Sequence, residues 1–254
     1  MAFNYIKYIG HMEGYIKYTI KNSQNQRKGI TMDVDKIKHL LHLENNKERI
    51  IAEDQMFESA VLIPIVSYKD CDYILFEKRS TYVSQPGEMS FPGGRKEKED
   101  ISLKVTAVRE TIEELGVAQE DIQVLGKLGI MVHQHRSVIH CYVGKIQWKE
   151  SYFSSYNPTE VEEIILVPYE EIIQQKPLEY HIKLKAYDYE YNLEGIKKQL
   201  FPTKQLKLPN IYQDEWDLGY RKIFVYPLEN VTVWGITGRL LHELQGLYLE
   251  NDNK

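Results

Sequence analysis

Residues 91–117 read FPGGRKEKEDISLKVTAVRETIEELGV. The spacing predicts a helix from about Leu103 to Leu115, stopped at Gly116, a residue suited to the left-handed position after a helix end. At about 100° per residue, Ile101, Val105, Val108, Ile112 and Leu115 fall on one side, as the seam expected to be buried. Glu110 and Glu114 lie four apart on the opposite side, with Glu113 at one flank. Arg109 precedes Glu113 by four residues, the spacing of an orienting ion pair. Glutamates crowded into two turns repel one another, and a hard divalent cation between them would resolve the repulsion. An isolated acidic string is usually a solvated helix face. Here the upstream Pro92-Gly93-Gly94 lets backbone approach a ligand or metal closely. The oxygen-rich, thiol-free donor set favours Mg²⁺ or Mn²⁺.

Outward from this stretch, AVLIPIVSY and YILFEKR, over about Ser59–Lys78, read as buried strands joined at Lys69-Asp70-Cys71-Asp72. Ser80–Gly94 is loop, punctuated by Pro86-Gly87 and Pro92-Gly93-Gly94. Strands are expected within Asp121–Ile146, at Glu163–Pro168 and at Lys222–Val225, with a short helix at Tyr169–Gln175 and an amphipathic helix at Thr232–Glu250. Leu178–Asn210 is rich in Tyr and Lys and reads as an insertion or extra hairpin. The lead-in, Met1–Phe57, is polar, with a short amphipathic helix expected at Asp33–Leu43. Strands around one central and one terminal helix predict an α+β or mixed α/β sandwich.

Composition narrows the function. Hydrophobic residues at 43% and charged residues at 27% are ordinary globular usage and exclude global disorder. The longest apolar run, Ala60–Val66, is far short of a membrane span, and Met1–Gly10 lacks a basic region followed by an apolar one. Cys71 and Cys141 cannot form a disulfide framework, so a cytoplasmic protein with reduced thiols is expected. A net charge of −5, from 32 basic and 37 acidic residues, disfavours capture of a polyanion by bulk charge. The nineteen tyrosines form no basic-aromatic array, so no nucleic-acid partner is expected. His133, His135 and His140 lack a cysteine or carboxylate at zinc spacing, and Ser90 and Ser137 lack triad context.

The stretch resembles the signature of Nudix hydrolases, Gly-x5-Glu-x7-Arg-Glu-U-x-Glu-Glu-x-Gly-U. Arg109–Val117 match its second half, except that Thr111 stands at a usually aliphatic position. In the first half Asp100 takes the glutamate's place, with eight residues rather than seven between it and Arg109. That offset and the Asp are shared by the coenzyme A pyrophosphatase branch. Leu75–Ser80, Gly87 and Phe91–Gly94 are similar to that branch's LLTxRS…FPGG block, and Val233–Leu241 to its VWGxT helix opening. The basic residue expected between Ser80 and Gly87 is missing. The resemblance covers about 59–168 and 222–244 and implies an α/β/α sandwich, with a mixed sheet between a catalytic and a C-terminal helix. It divides the chain into an N-terminal extension, 1–57, and a hydrolase domain, 58–250, with an insertion at 178–221.

The activity so implied is metal-dependent cleavage of coenzyme A or its derivatives into phosphopantetheine and adenosine 3′,5′-bisphosphate. Glu110 and Glu114 are expected as direct Mg²⁺ or Mn²⁺ ligands, Glu113 as a ligand through water or a tuning partner held by Arg109, and a glycine carbonyl at Gly93 or Gly94 as a further ligand. Glu160 is the candidate base from outside the helix, and Arg79, Ser80, Gly93 and Gly94 the candidate substrate-binding residues. Arg79 equally suits a structural pair with Glu88 or Asp100. The alternatives are a pyrophosphatase for ADP-ribose or a dinucleotide, and a regulatory module without catalysis, against which the intact glutamates argue. The 178–221 segment is a candidate homodimer interface or lid.

Overall fold

In the computed structural model, residues 35, 56–133, 137–212 and 215–252 are described. The Asp33–Leu43 helix expected from sequence therefore lies outside the described residues except for Asp35.

β1 (Phe57–Tyr68) and β2 (Cys71–Arg79) form an antiparallel hairpin. Lys69 and Asp70 turn it with positive φ at 48° and 60°, as a two-residue hairpin loop requires. β3 (Met89–Ser90) pairs with β2, and β4 (Gly93–Arg95) with the start of β1. α1 (Leu103–Leu115) then leads to β5 (Ile122–His133) and β6 (Ser137–Gln147). β6 lies parallel to β1, so the sheet is mixed, in the order β3-β2-β1-β6-β5. β7 (Val161–Pro168) joins the other edge of β2, and α2 (Tyr169–Gln174) follows it.

Strand side chains alternate between faces, and the two faces bury different partners. Ala60, Leu62, Val66 and Leu75 face α1, packing with Ala107 and Leu115. Ile63, Ile74 and Phe76 face the other way, onto Phe224, Leu240, Leu241 and Leu244. The latter belong to β11 (Trp216–Pro227) and α3 (Gly235–Asp252). Helices thus cover both sheet faces, as the α+β reading expects. Leu115 and Leu241 are fully buried, and each such side chain contributes roughly 1.5–3 kcal/mol of transfer free energy.

The ends of α1 fall where the sequence puts them. Ser102 caps it by accepting the Val105 N–H, and Gly116 ends it at φ 66°. Its rotation is different. Of the expected seam only Leu115 is buried; Ile101 is 90% and Val105 37% exposed. Thr106, Ala107, Thr111 and Glu114 turn inward instead. Two causes are visible. Ile101 precedes the helix and is not held on its face. Small Ala107 lets the helix approach Ala60 and Leu62 closely, while Glu114 accepts the Gly93 N–H, Thr106 donates to Asp100 and Thr111 donates back to the Ala107 carbonyl.

The 178–221 segment contributes β8 (Leu178–Ala186), antiparallel to β11, and a hairpin of β9 (Tyr189–Tyr191) and β10 (Lys197–Gln199). β11 begins at Trp216, well before the strand expected at Lys222–Val225. With β12 (Thr232–Val233) these strands make a second, three-stranded sheet, β12-β11-β8. Gly238 packs α3 against it, since a Cβ there would lie 2.6 Å from the Phe224 carbonyl oxygen.

Candidate active site

The Gly93-Gly94 turn is the floor of the site. Its pairing with Val61 and Ala60 brings it directly under α1. The Gly93 N–H donates to Glu114 Oε2 at 2.8 Å. A Cβ on Gly94 would stand 2.2 Å from Glu110 Oε1, so any other residue there would make that carboxylate shift. Glu114 is 4% exposed. Burial, then repulsion from Glu77 and other acids, pushes its carboxyl well above the usual range, against the Gly93 hydrogen bond. Burial also raises Glu110, and Arg109 opposes this. Glu110 and Glu114 therefore occupy the inner face of α1, not the side opposite its buried residues.

Arg109 holds this arrangement. Its guanidinium lies 3.0 Å from Asp100, 3.0 Å from Glu110 and 2.9 Å from Glu113, and donates to the Arg95 carbonyl at 3.1 Å. Asp100, buried, also accepts from Thr106 Oγ1 and the Glu97 N–H. Hydrogen bonds from Arg109 lead the causes that hold its carboxyl down to about 2. The Arg–Glu spacing thus gives the expected ion pair, while Asp100 proves to be the anchor of Arg109. Glu113 sits more openly, its side chain 53% exposed.

The loop before β7 closes another side. Asn157 N–H donates to the Glu114 carbonyl at 2.9 Å, and Ser80 N–H to the Glu160 carbonyl at 2.9 Å. Glu160 raises the pKa of Glu77, Glu110 and Glu114 by repulsion, so its charge acts on the same acids. Ser80 is 3% exposed, and its hydroxyl donates to the Thr159 carbonyl at 2.6 Å. It is a support of the Glu160 loop and does not line the cleft described below, contrary to the expected substrate contact. Arg79 donates from Nε to the Ser84 carbonyl at 2.8 Å. The expected pairing of Arg79 with Asp100 is not formed, because Asp100 is taken by Arg109.

Sequence reasoning passed over Glu77. It is 1% exposed, with Ser90 Oγ donating to its Oε1 at 3.0 Å. The signal was present: Glu77 stands where the LLTxRS block has threonine.

Beside the floor runs a cleft of about 530 Å³, bordered by Gly93, Gly94, Arg79 and Arg95. The second sheet supplies Ile182, Arg221 and Ile223 to it, and Trp234 precedes α3 there. A hollow of about 550 Å³ between β5 and α3 contains none of the candidate residues. The cleft, unlike this hollow, shares the Gly93-Gly94 floor with Glu110 and Glu114.

The residues fit a divalent cation by three signs: an all-oxygen donor set, the glycine cradle under Glu110, and a buried Glu77 Oε2 without a hydrogen-bond partner. Among the described residues no three acid, imidazole or thiol side chains converge on one point; the acids line the site rather than caging it. His135, one of the histidines weighed for zinc, lies outside the described residues. Among the described residues no helix is long and apolar enough to cross a membrane.

The profile described as NUDIX domain matches residues 56–188. The chain is 28% identical over 216 residues to Nudix hydrolase 3 of Caenorhabditis elegans, covering 82% of this chain and 80% of that protein. It is 30% identical over 110 residues to the peroxisomal coenzyme A diphosphatase NUDT7 of Mus musculus, covering 43% of this chain and 46% of that protein. It is 27% identical over 137 residues to the mitochondrial coenzyme A diphosphatase NUDT8 of Homo sapiens, covering 53% and 58%.

Proposed function

The chain belongs to the Nudix family, and from that premise we propose that it cleaves the diphosphate of coenzyme A or its derivatives with Mg²⁺ or Mn²⁺. The products are phosphopantetheine and adenosine 3′,5′-bisphosphate. The observation that carries the reading is the adjacency of acids and guanidiniums across one Gly-Gly turn. A diphosphate repels an incoming hydroxide, and a divalent ion at such a site neutralises that charge and lowers the pKa of a water.

Each residue then has a task. Glu110 and Glu114 would hold the ion from α1, with the Gly94 carbonyl as a further oxygen donor, and Glu113 would tune the site from its exposed flank. Arg109 fixes Glu110 and Glu113, and Asp100 fixes Arg109. Glu160 accepts the proton of the attacking water as the oxygen bonds to phosphorus and the bridging P–O bond breaks. Arg79 and Arg95 bind the phosphates along the cleft, a task that suits planar guanidinium. The missing basic residue between Ser80 and Gly87 is offset by Arg221, which enters the same cleft from β11 and suits the 3′-phosphate that distinguishes coenzyme A from ADP-ribose.

The test compares coenzyme A, its dephospho form and ADP-ribose as substrates with Mg²⁺ and with Mn²⁺, identifying products by mass. Coenzyme A should give the highest kcat/KM. Rapid ADP-ribose cleavage with intact coenzyme A would replace this substrate while keeping the chemistry.

A further inference from the structure

We infer that Glu77, on β2, is a further carboxylate ligand of the metal centre, so that sheet and helix clamp the ion from opposite sides. The inference rests on the Nudix reading of Glu110 and Glu114.

Alternation along β2 places it. Ile74 and Phe76 face the α3 side, and Leu75 faces α1. Glu77, two residues beyond Leu75, projects to the α1 face, where Glu114 descends from the helix. Each of these two carboxylates is acted on by the other site acids. Glu114 feels Glu77 as its largest charge neighbour, and Glu77 feels both Glu160 and Glu110.

The hydrogen bonding is lopsided. Ser90, directly across the β2–β3 register, donates to Oε1 and so fixes the carboxylate plane. Oε2 is buried and has no hydrogen-bond partner. A buried acceptor left unmade is costly, and more so when it carries charge. Arg79 is the cation whose field favours its charged form. A purely structural residue here would be better served by a threonine or glutamine, which brings no charge among acids. A buried carboxylate with one satisfied and one open oxygen is instead suited to ligate through the open one. Oxygen ligation by carboxylates on two elements is ordinary for hard divalent cations.

The test uses the full chain. Glu77→Gln and Glu114→Gln are compared with wild type by Mn²⁺ titration, following free Mn²⁺ by electron paramagnetic resonance. Thermal midpoints are recorded in chelator and in Mn²⁺. Glu77→Gln should weaken Mn²⁺ binding by about tenfold or more and raise the midpoint in chelator, since a repelling charge is removed. Its stabilisation by Mn²⁺ should shrink accordingly. Unchanged Mn²⁺ affinity in Glu77→Gln beside lost affinity in Glu114→Gln would overturn the inference and leave the Nudix reading intact. Unchanged affinity in both would overturn the reading itself. Should Glu77→Gln fail to fold, Glu77→Asp keeps the charge but withdraws it by one methylene. Wild-type Mn²⁺ affinity in that variant would equally overturn the inference, and weakened affinity in a folded protein would support it.

Discussion

At Asp100 a single buried carboxylate carries both stability and geometry. Arg109 holds its folded pKa down to about 2, below the unfolded value near 3.8. The stabilisation is therefore full above about pH 4 and lost as pH falls through about 2, and it amounts to on the order of 2 kcal/mol. Asp100→Asn should lower stability at pH 7 by about that amount and flatten the acid limb between pH 4 and 2, read by denaturant titration at several pH values. Gly94 makes a separate point. A Cβ there meets the Glu110 carboxyl at 2.2 Å, and displacement of such a group by about 1 Å can cost ~10²-fold in rate. Gly94→Ala should keep the thermal midpoint within a few degrees while losing about that much activity. The sequence showed that glycine was needed here; the atom it makes room for became visible only when β4 was seen to pair with β1 under the helix.

For α1 as an element, ends and rotation were not equally legible. Gly116 acts locally, so the end of the helix followed from residue type, and Ser102 caps its start. Which side turns inward depends on what lies below it. Apolar periodicity pointed to Ile101, Val105, Val108 and Ile112, yet polar Thr106, Thr111 and Glu114 are the buried ones. Glu114 accepts the Gly93 N–H from the sheet, Thr106 donates to Asp100 before the helix, and Thr111 donates back to the Ala107 carbonyl; the first two partners lie outside the helix sequence. Opposite outcomes are expected on the two faces. Ile101→Ser should change stability by less than ~0.5 kcal/mol, as surface changes usually do. Ala107→Leu should cost about 1–3 kcal/mol through overpacking against Ala60 and Leu62. Equilibrium unfolding of both variants checks the assignment.

Across the whole molecule, the strand alternation and the two covering helices were readable because each is a local period. The second sheet was not, since β8 and β11 are joined only by a long-range pairing that places Ile182 opposite Arg221. That pairing makes the 178–221 segment a wall of the cleft beside Gly93 and Gly94. Arg221→Ala should raise KM for coenzyme A by about tenfold, one lost charge-assisted contact being worth roughly 1.5 kcal/mol, while changing KM for ADP-ribose little; steady-state kinetics with both substrates decides. Net charge of −5 also reads differently once located. Acids gather on the inner face of α1, while Arg79, Arg95 and Arg221 border the neighbouring cleft. The central claim is that this acidic face binds the metal that drives diphosphate cleavage. Glu114→Gln tests it most directly, with Mn²⁺ affinity and coenzyme A turnover measured on the same preparation. The account predicts that both fall together, turnover by about 10²-fold or more, in a protein that remains folded. Full turnover with undiminished Mn²⁺ affinity would contradict it.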